Sequence, residues 1–170
     1  MEKGLSDVVS VLILILLAVV GVGIIAKFSI DFVNDNLSEA GNCFEAVGKL
    51  KINDEFTCID NNGSDSFTYV QIETKDLELE EFVITLSAED KGVGVLIKNG
   101  SSGSLTLHLK NDVPPYDSLI VPEPNSGRTY SIRTSYGQYE LSSIQMVRVS
   151  AVFDGKTCDP VDEINIYPCL

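Results

Sequence analysis

The sequence contains few of the residues from which catalytic and metal sites are usually built. It has a single histidine, His108, and four cysteines, none of which belongs to a C-x-x-C pair. The motifs G-x-S-x-G and H-E-x-x-H, the phosphate-binding P-loop and the EF-hand calcium loop are all absent from it. We therefore expect no enzyme activity, no cofactor and no zinc or other metal site, and we expect His108 to lie on the solvent face of a strand.

Basic residues are also scarce. Twelve Lys and Arg stand against 25 Asp and Glu, which gives a formal net charge of −13. The four charges within residues 1–30 cancel, so the excess negative charge lies in residues 31–170. An acidic body without a Lys/Arg cluster repels nucleic acid and anionic lipid head groups. We therefore expect no nucleic-acid partner.

Charge is absent altogether between Asp7 and Lys27. The 19 residues of Val8–Ala26 are aliphatic except for one serine and two glycines, and a helix of about 20 such residues spans a bilayer. The block is longer, and starts earlier, than the apolar region of an ordinary secretory signal, and no small-x-small cleavage site follows it. We therefore expect this segment to be retained in the mature protein.

The helical pattern continues beyond the apolar block. Ile30, Val33 and Leu37 follow at helical spacing, with polar residues between them, so the helix becomes amphipathic. We expect it to end at about Ser38–Ala40, with Gly41-Asn42 as the stop signal. Such a helix is roughly 50 Å long, and its amphipathic part needs a packing partner outside the membrane.

The even number of cysteines favours two disulfides formed in an oxidising compartment. Of the three possible connectivities we favour the local pairs, Cys43–Cys58 and Cys158–Cys169. Three N-x-S sequons, at Asn36, Asn62 and Asn99, agree with an extracellular location and are candidate glycosylation sites. The last two also fall in Asn-Gly-Ser sequences, which are typical of plain turns.

After Gly41 the apolar residues recur with a period of two, and many short segments are separated by turn residues. This pattern predicts an antiparallel β-sandwich, with GVGVLIKNGSSGSLTLHLK as its clearest hairpin. The only candidate helix in this part of the chain is Tyr139–Gln145. The predicted strands are Gly48–Ile52, Glu55–Ile59, Ser66–Thr74, Glu81–Ser87, Gly92–Lys98, Ser104–Lys110, Ser118–Val121, Thr129–Thr134, Met146–Phe153 and Glu163–Tyr167.

Three further clusters have a plain interpretation and a functional alternative. Asp60–Ser66 (DNNGSDS) is rich in oxygen ligands but lacks a glutamate at the twelfth loop position, so we interpret it as a turn rather than a calcium loop. An acidic run is interpreted as a solvated strand edge rather than a cation site. Four tyrosines are interpreted as core and loop packing rather than a sugar-binding surface. The acidic run is Glu73, Asp76, Glu78, Glu80 and Glu81, and the tyrosines are Tyr116, Tyr130, Tyr136 and Tyr139.

The stretch KGLSDVVSVLILILLAVVGVGIIAKF resembles the N-terminus of archaeal type IV pilins and archaellins, which carry a class III signal peptide. In that family a membrane peptidase cuts after a glycine that follows a basic residue, just before a hydrophobic segment that stays in the mature protein. The matching residues here are Lys3, Gly4 and Leu5. Bacterial major pilins commonly have a glutamate at the fifth mature position, where this sequence has Val9, so the archaeal branch is favoured.

The resemblance implies an α+β fold, in which a long N-terminal hydrophobic α-helix is followed by an immunoglobulin-like antiparallel β-sandwich head. Residues 1–4 would be the cleaved leader, 5–40 the transmembrane and filament-core helix, and 41–170 the head. The residues expected to form the filament core are Val8, Val11, Leu12, Ile15, Leu16, Val19, Gly21, Gly23, Ile24 and Phe28.

The function implied is that of a structural subunit of an extracellular filament used for adhesion or motility. Its partners would be further copies of itself, a prepilin peptidase, an assembly ATPase and a membrane platform protein. The precursor would lie in the cytoplasmic membrane with its N-terminus inside, and the mature subunit in a filament on the cell surface. Three alternatives stay open: an archaellin of a rotating filament, a minor pilin or adhesin, and a single-span membrane protein whose ectodomain never assembles.

Overall fold

The structure is a computed structural model that describes residues 3–61, 65–89, 91–104, 107–110, 116–135, 141 and 143–169. In the N-terminal helix the described side chains are those of residues 9–27, 29–30, 33 and 41–46. The chain divides into two units, one up to Gly41 and the other Asn42–Leu170. The architecture is α+β, with an apolar N-terminal helix and a mostly β domain of two sheets, as the sequence predicts.

Helix α1 extends over Lys3–Ala46, so the expected stop at Gly41-Asn42 is wrong. A glycine weakens a helix by only about 1 kcal/mol, and tertiary contacts override that cost. Here the contact is made by Ala46, which is fully buried in the core of the second unit. The chain leaves the helix through Gly48, whose φ of 76° is a left-handed conformation that favours glycine and is common just past a helix end.

The first sheet has the strand order β10-β1-β2-β6-β5 and the second has the order β4-β3-β7-β8, with β9 also paired to β7. All neighbouring strands are antiparallel except β10, which runs parallel to β1. The strands are β1 Leu50–Asp60, β2 Phe67–Thr74, β3 Glu81–Ser87, β4 Gly92–Lys98, β5 Leu107–Leu109, β6 Gly127–Arg133, β7 Met146–Phe153, β8 Lys156–Thr157, β9 Asp162–Asn165 and β10 Tyr167–Pro168.

Both sheets contribute to one hydrophobic core. Along β3 every second residue is buried, which places Phe82, Ile84 and Leu86 in the core. The ring of Tyr130, on β6 in the other sheet, packs edge-on against Phe82 with 5.6 Å between ring centroids. The Tyr130 hydroxyl donates a hydrogen bond of 2.6 Å to the carbonyl of Ile120, so this polar group is buried with a partner. The expectation of core packing is therefore confirmed for Tyr130.

Three strands, Glu81–Ser87, Gly92–Lys98 and Met146–Phe153, have the predicted bounds. The predicted hairpin in residues 92–110 is wrong: β4 pairs with β3, and β5 pairs with β6 in the other sheet. The predicted strand Ser118–Val121 is reduced to a single bridge between Ser118 and Ser102. In the candidate helix at Tyr139–Gln145, residues 139, 140 and 142 lie outside the described residues, and the four others are not helical.

Strand β1 replaces the two predicted strands Gly48–Ile52 and Glu55–Ile59, and it contains a bulge. Asn53 lies opposite Gln71 and Cys58 lies opposite Tyr69, so β1 advances five residues while β2 advances two. The Asn53 side chain accepts a hydrogen bond from the Glu55 amide, and Thr57 Oγ1 accepts one from the Gln71 amide. These bonds satisfy backbone groups that the bulge removes from the ladder, and the side chains of Asp54–Phe56 are exposed.

Candidate functional site

The apolar part of α1 is the largest exposed hydrophobic surface among the described residues. Val9–Lys27 has a mean hydropathy of 3.1, and none of it is buried. Its large aliphatic side chains are 48–67% exposed. A helix of this length and composition is compatible with membrane insertion or with a signal sequence. In water such a surface is unfavourable, because each aliphatic side chain gains about 1.5–3 kcal/mol when it is buried.

The residues that the sequence predicts for the filament core all belong to this helix. Apolar side chains point outward on every side of it, and a Cβ added at Gly21 or Gly23 would meet no atom within 4 Å. The predicted processing residues Lys3, Gly4 and Leu5 lie in the first turn of α1, and Val8 and Phe28 also belong to the helix. The side chains of these five residues lie outside the described part of the structure.

Two disulfides are present, as the sequence predicts, but the predicted local pairs are wrong. Cys43 is bonded to Cys158, with 5.5 Å between their Cα atoms, and Cys58 is bonded to Cys169, with 4.9 Å. The local pairing fails because the fold places each cysteine of the first half beside one from the C-terminal segment. Cys43 lies in the last turn of α1, and Cys158 follows β8, so this bond ties the end of the helix covalently to the sheet domain.

The second disulfide fixes the C-terminal strand. Cys58 lies in β1 opposite Tyr167 of β10, and Cys169 follows β10 directly. The amide of Cys169 also donates a hydrogen bond of 2.9 Å to the carbonyl of Ile59. The bond therefore holds a strand of only two residues against the edge of the first sheet.

A groove lies between the β1 bulge and the C-terminal strand, and we name it the β1–β10 groove. It has a volume of about 710 Å³. Two aromatic side chains stand exposed at its walls, Phe56 at 53% and Tyr167 at 69%. Its lining consists of Asp54, Glu55, Phe56, Thr57, Cys58, Asp60, Tyr69, Lys110, Tyr167, Pro168 and Cys169.

The polar side of the β1–β10 groove combines acidic groups with one ammonium. Lys110 Nζ lies 4.7 Å from the centre of the Tyr69 ring, within the range of a cation–π contact. Partial burial raises the pKa of the Tyr69 hydroxyl above its ordinary value, and the carboxylate of Asp60 raises it further. With Asp54, Glu55 and Asp60 against Lys110, the groove carries excess negative charge at neutral pH.

The sequence did not indicate this groove. Its side chains come from β1, β2, β10 and the residue after β5, which are far apart along the chain. The one local signal is Phe56, a large apolar residue directly after the polar sequence Asn53-Asp54-Glu55.

Of the three sequon asparagines, only Asn99 has a described side chain. Asn99 is exposed in the turn after β4, where Gly100 has a φ of 76° and Ser101 Oγ donates a hydrogen bond to the Lys98 carbonyl. The side chain of Asn36 and the whole of Asn62 lie outside the described residues. Asn99 is therefore placed where a modifying enzyme has access to it.

The expectation of a solvent-facing His108 is wrong. Its side chain is 9% exposed, stacked on Tyr116 with 4.6 Å between ring centroids, and edge-on to Phe67. Its Nδ1 donates a hydrogen bond of 3.0 Å to the carbonyl of Ser104. The expected alternation of buried and exposed side chains fails along β5 because it is a short edge strand whose outward face is covered by Tyr116.

Of the four tyrosines for which packing was expected, Tyr136 and Tyr139 lie outside the described residues.

The remaining acidic clusters do not form a metal centre in the described part of the chain. No group of three or more His, Cys, Asp or Glu side chains there is arranged to hold a metal ion. Asn62–Ser64 of the DNNGSDS sequence lie outside it. The acidic run is not a strand edge: Glu73 and Glu81 belong to the inner strands β2 and β3, and Glu78 and Glu80 lie in the loop between them. Glu81 pairs with Lys98 at 3.4 Å.

Comparison with known proteins finds no matching family model, no matching curated protein and no matching solved structure.

Proposed function

We propose that this chain is a structural subunit of an archaeal type IV pilus-like extracellular filament, which polymerises through its N-terminal helix and serves adhesion or motility. The observation that carries the proposal is the uncovered apolar surface of Val9–Lys27 on a helix that continues to Ala46. The resemblance of residues 3–28 to archaeal pilins and archaellins supports it.

The helix needs two successive environments in this proposal. Lipid covers Val9–Lys27 first, while the precursor is held in the cytoplasmic membrane with its N-terminus inside. Helices of other subunits then replace the lipid when the subunit enters the filament, where van der Waals packing supplies the contacts. A prepilin peptidase removes residues 1–4, and an assembly ATPase with a membrane platform protein extracts the subunit.

The Cys43–Cys158 disulfide suits a subunit that has to be pulled out of a membrane. A force applied to the helix reaches the sheet domain through this disulfide as well as through the backbone and the buried Ala46. The two-sheet domain, an immunoglobulin-like sandwich in this proposal, then forms the outer sheath of the filament. Its acidic residues and disulfides suit exposure outside the cell.

The experiment that tests this function replaces Gly4 with a bulky residue, as in Gly4→Trp. We expect the precursor to keep residues 1–4, by mass spectrometry of its N-terminus, and the cells to lose their filaments in negative-stain microscopy. Gly4→Ala is the matched control, since it keeps a small residue at the cleavage position and should leave both readouts unchanged. A Gly4→Trp chain with the wild-type N-terminus and normal filaments would contradict the proposal.

A further inference from the structure

The two disulfides differ in their surroundings. Cys158 is 7% exposed and belongs to the hydrophobic core, against which Cys43 packs. Cys58 and Cys169 are only half-buried, and both line the β1–β10 groove. A groove of about 710 Å³ has room for a small organic molecule beside this second bond. The bond between Cys58 and Cys169 is therefore accessible in the folded chain, whereas the other bond is shielded by core side chains.

The segment that the accessible bond fixes makes few other contacts. Strand β10 has two residues and forms the edge of its sheet. Both of them, Tyr167 and Pro168, have exposed side chains, so they bury little apolar surface. Ile166, directly before them, is buried in the core. Without the disulfide, residues 167–169 depend on the hydrogen bonds of this short ladder to stay against β1.

The charge of the groove discriminates between reagents that approach the bond. Its lining includes the carboxylates of Asp54, Glu55 and Asp60 against the ammonium of Lys110. A cleft with excess negative charge repels anions and concentrates cations. The reactive form of a thiol is the thiolate, which is itself an anion. A thiol with an ammonium group compensates for that charge, whereas a sulfonate or carboxylate group adds to it.

We propose that Cys58–Cys169 is a site of thiol–disulfide exchange, at which the β1–β10 groove admits small thiols that carry a positive charge. The thiolate of one such molecule attacks a sulfur of the bond and forms a mixed disulfide, while the other cysteine leaves as a thiolate and is protonated. A second small thiol displaces the attached cysteine and leaves in a small-molecule disulfide. Two small thiols are thereby oxidised, and the protein disulfide takes up two electrons and two protons. This site does not depend on the proposed filament.

Reduction at this site releases the C-terminal strand without unfolding the domain. The bond between Cys43 and Cys158 stays closed, and Ile166 stays in the core, so the change is confined to residues 167–169 and the part of β1 beside them. The uncovered edge of β1 then presents backbone groups that had been paired with β10. The exchange reaction therefore controls whether this edge of the first sheet is closed.

Mild reduction of the full-length chain in dodecyl maltoside tests the accessibility of the bond. The chain is treated with cysteamine, the thiols formed are trapped with iodoacetamide, and the peptides are mapped by mass spectrometry. We expect alkylated Cys58 and Cys169 in molecules whose Cys43 and Cys158 are still joined. If both bonds open together, reduction follows global unfolding and the proposal is wrong. Earlier opening of the Cys43–Cys158 bond would also overturn it.

A comparison of two thiols tests the charge preference. At equal thiolate concentration and low salt, cysteamine should open the bond about tenfold faster than 2-mercaptoethanesulfonate, and about 1 M salt should remove most of this difference. The variant Asp54→Asn/Glu55→Gln should also remove most of it. Glu78→Gln/Glu80→Gln is the matched control, because it neutralises two exposed carboxylates outside the groove and should keep the preference. Equal rates for the two thiols, or an unchanged preference in the groove variant, would overturn the role of the groove.

Hydrogen exchange before and after this reduction tests the release of the strand. We expect faster exchange in the peptide that contains residues 167–169 and at Ile59, whose carbonyl accepts the hydrogen bond from the Cys169 amide. Strand β3, in the other sheet, is the internal control and should exchange as slowly as before. Unchanged exchange of the C-terminal peptide would contradict the release, and faster exchange in β3 would show that the whole domain has opened.

Discussion

Cys43 and Cys158 are joined by a disulfide although 115 residues of chain separate them. Cys58 and Cys169, separated by 111 residues, form the second bond, so each closed loop contains one cysteine of the other. The last turn of α1 and the C-terminal strand, both within Asn42–Leu170, are thereby fixed to the same two-sheet core. This arrangement makes the ends of the domain resistant to local unfolding.

Removal of the first bond should destabilise the domain substantially. The double variant Cys43→Ser/Cys158→Ser opens a loop of more than 100 residues, and removal of a native disulfide typically costs roughly 2–5 kcal/mol. Chemical unfolding of the detergent-solubilised chain measures it. Peptide mapping without reduction should recover Cys43 linked to Cys158, and a Cys43–Cys58 peptide would contradict the structure.

The Tyr130 hydroxyl should contribute to stability through its bond to the Ile120 carbonyl. Tyr130→Phe keeps the ring against Phe82 but leaves this carbonyl without its donor, which costs about 1–3 kcal/mol. Tyr116→Phe serves as the control, since the ring of Tyr116 stacks on His108 in a less buried position. Equal stability of the Tyr130→Phe and wild-type chains in chemical unfolding would contradict the importance of this bond.

Titration of the Tyr130 hydroxyl should lower the stability of the domain at alkaline pH. Burial raises the pKa of Tyr130 well above its ordinary value, and the nearby Arg128 opposes this only in part. The unfolded chain therefore releases this proton first, at about pH 10, and the stability that the neutral phenol contributes is lost as the pH rises from there toward the folded pKa. Tyr130→Phe should reduce the slope of unfolding free energy against pH above about pH 10. An unchanged slope would show that Tyr130 does not titrate differently in the two states.

A charge in the middle of the apolar helix should prevent both membrane insertion and assembly. Leu16→Lys replaces an exposed aliphatic residue, and the difference in insertion free energy between Leu and Lys near a helix centre is about 3–4 kcal/mol. Cell fractionation and filament counts measure the two effects. Leu16→Ile keeps the apolar surface and should behave as the wild type, whereas normal filaments from Leu16→Lys would contradict the role of this surface.

The stability of the turn between β7 and β8 should depend on Gly155. Gly155 has a φ of 75° with nothing within 4 Å of an added Cβ, so Gly155→Ala carries only the cost of a left-handed conformation, about 1–2 kcal/mol. Gly92 in β4 has no such conformation, and an added Cβ there meets its neighbours at ordinary contact distance. Gly92→Ala should therefore be close to neutral, and equal stability losses for the two variants would contradict this difference.

Local sequence patterns were sufficient to predict strands that pack against the core. Strand β3 has strict alternation, with Phe82, Ile84 and Leu86 buried, and its bounds follow from the sequence alone. The predictions that failed concern partners distant in sequence. The spacing of Cys43 and Cys58 suggests a local bond, but only the three-dimensional path of the C-terminal segment shows that Cys158 and Cys169 lie beside them.

Partners distant in sequence also explain why the pairing of residues 92–110 and the β1–β10 groove could not be predicted from local patterns. Glycine-rich residues between two apolar runs are typical of a hairpin, yet this chain leaves β4 and joins the other sheet at β5. His108 is then covered by Tyr116, which a period of two cannot indicate. The β1–β10 groove likewise depends on a bulge, of which Phe56 is the one local sign, and on a parallel C-terminal strand that the local sequence does not indicate.

Electron cryomicroscopy of filaments sheared from cells that produce this chain is the most direct measurement of the central claim. We expect a filament built from this subunit, with the Val9–Lys27 segments of many copies packed against one another in its core and the two-sheet domains outside. Filaments without this chain, together with full-length chain found only as single molecules in the membrane fraction, would contradict the claim.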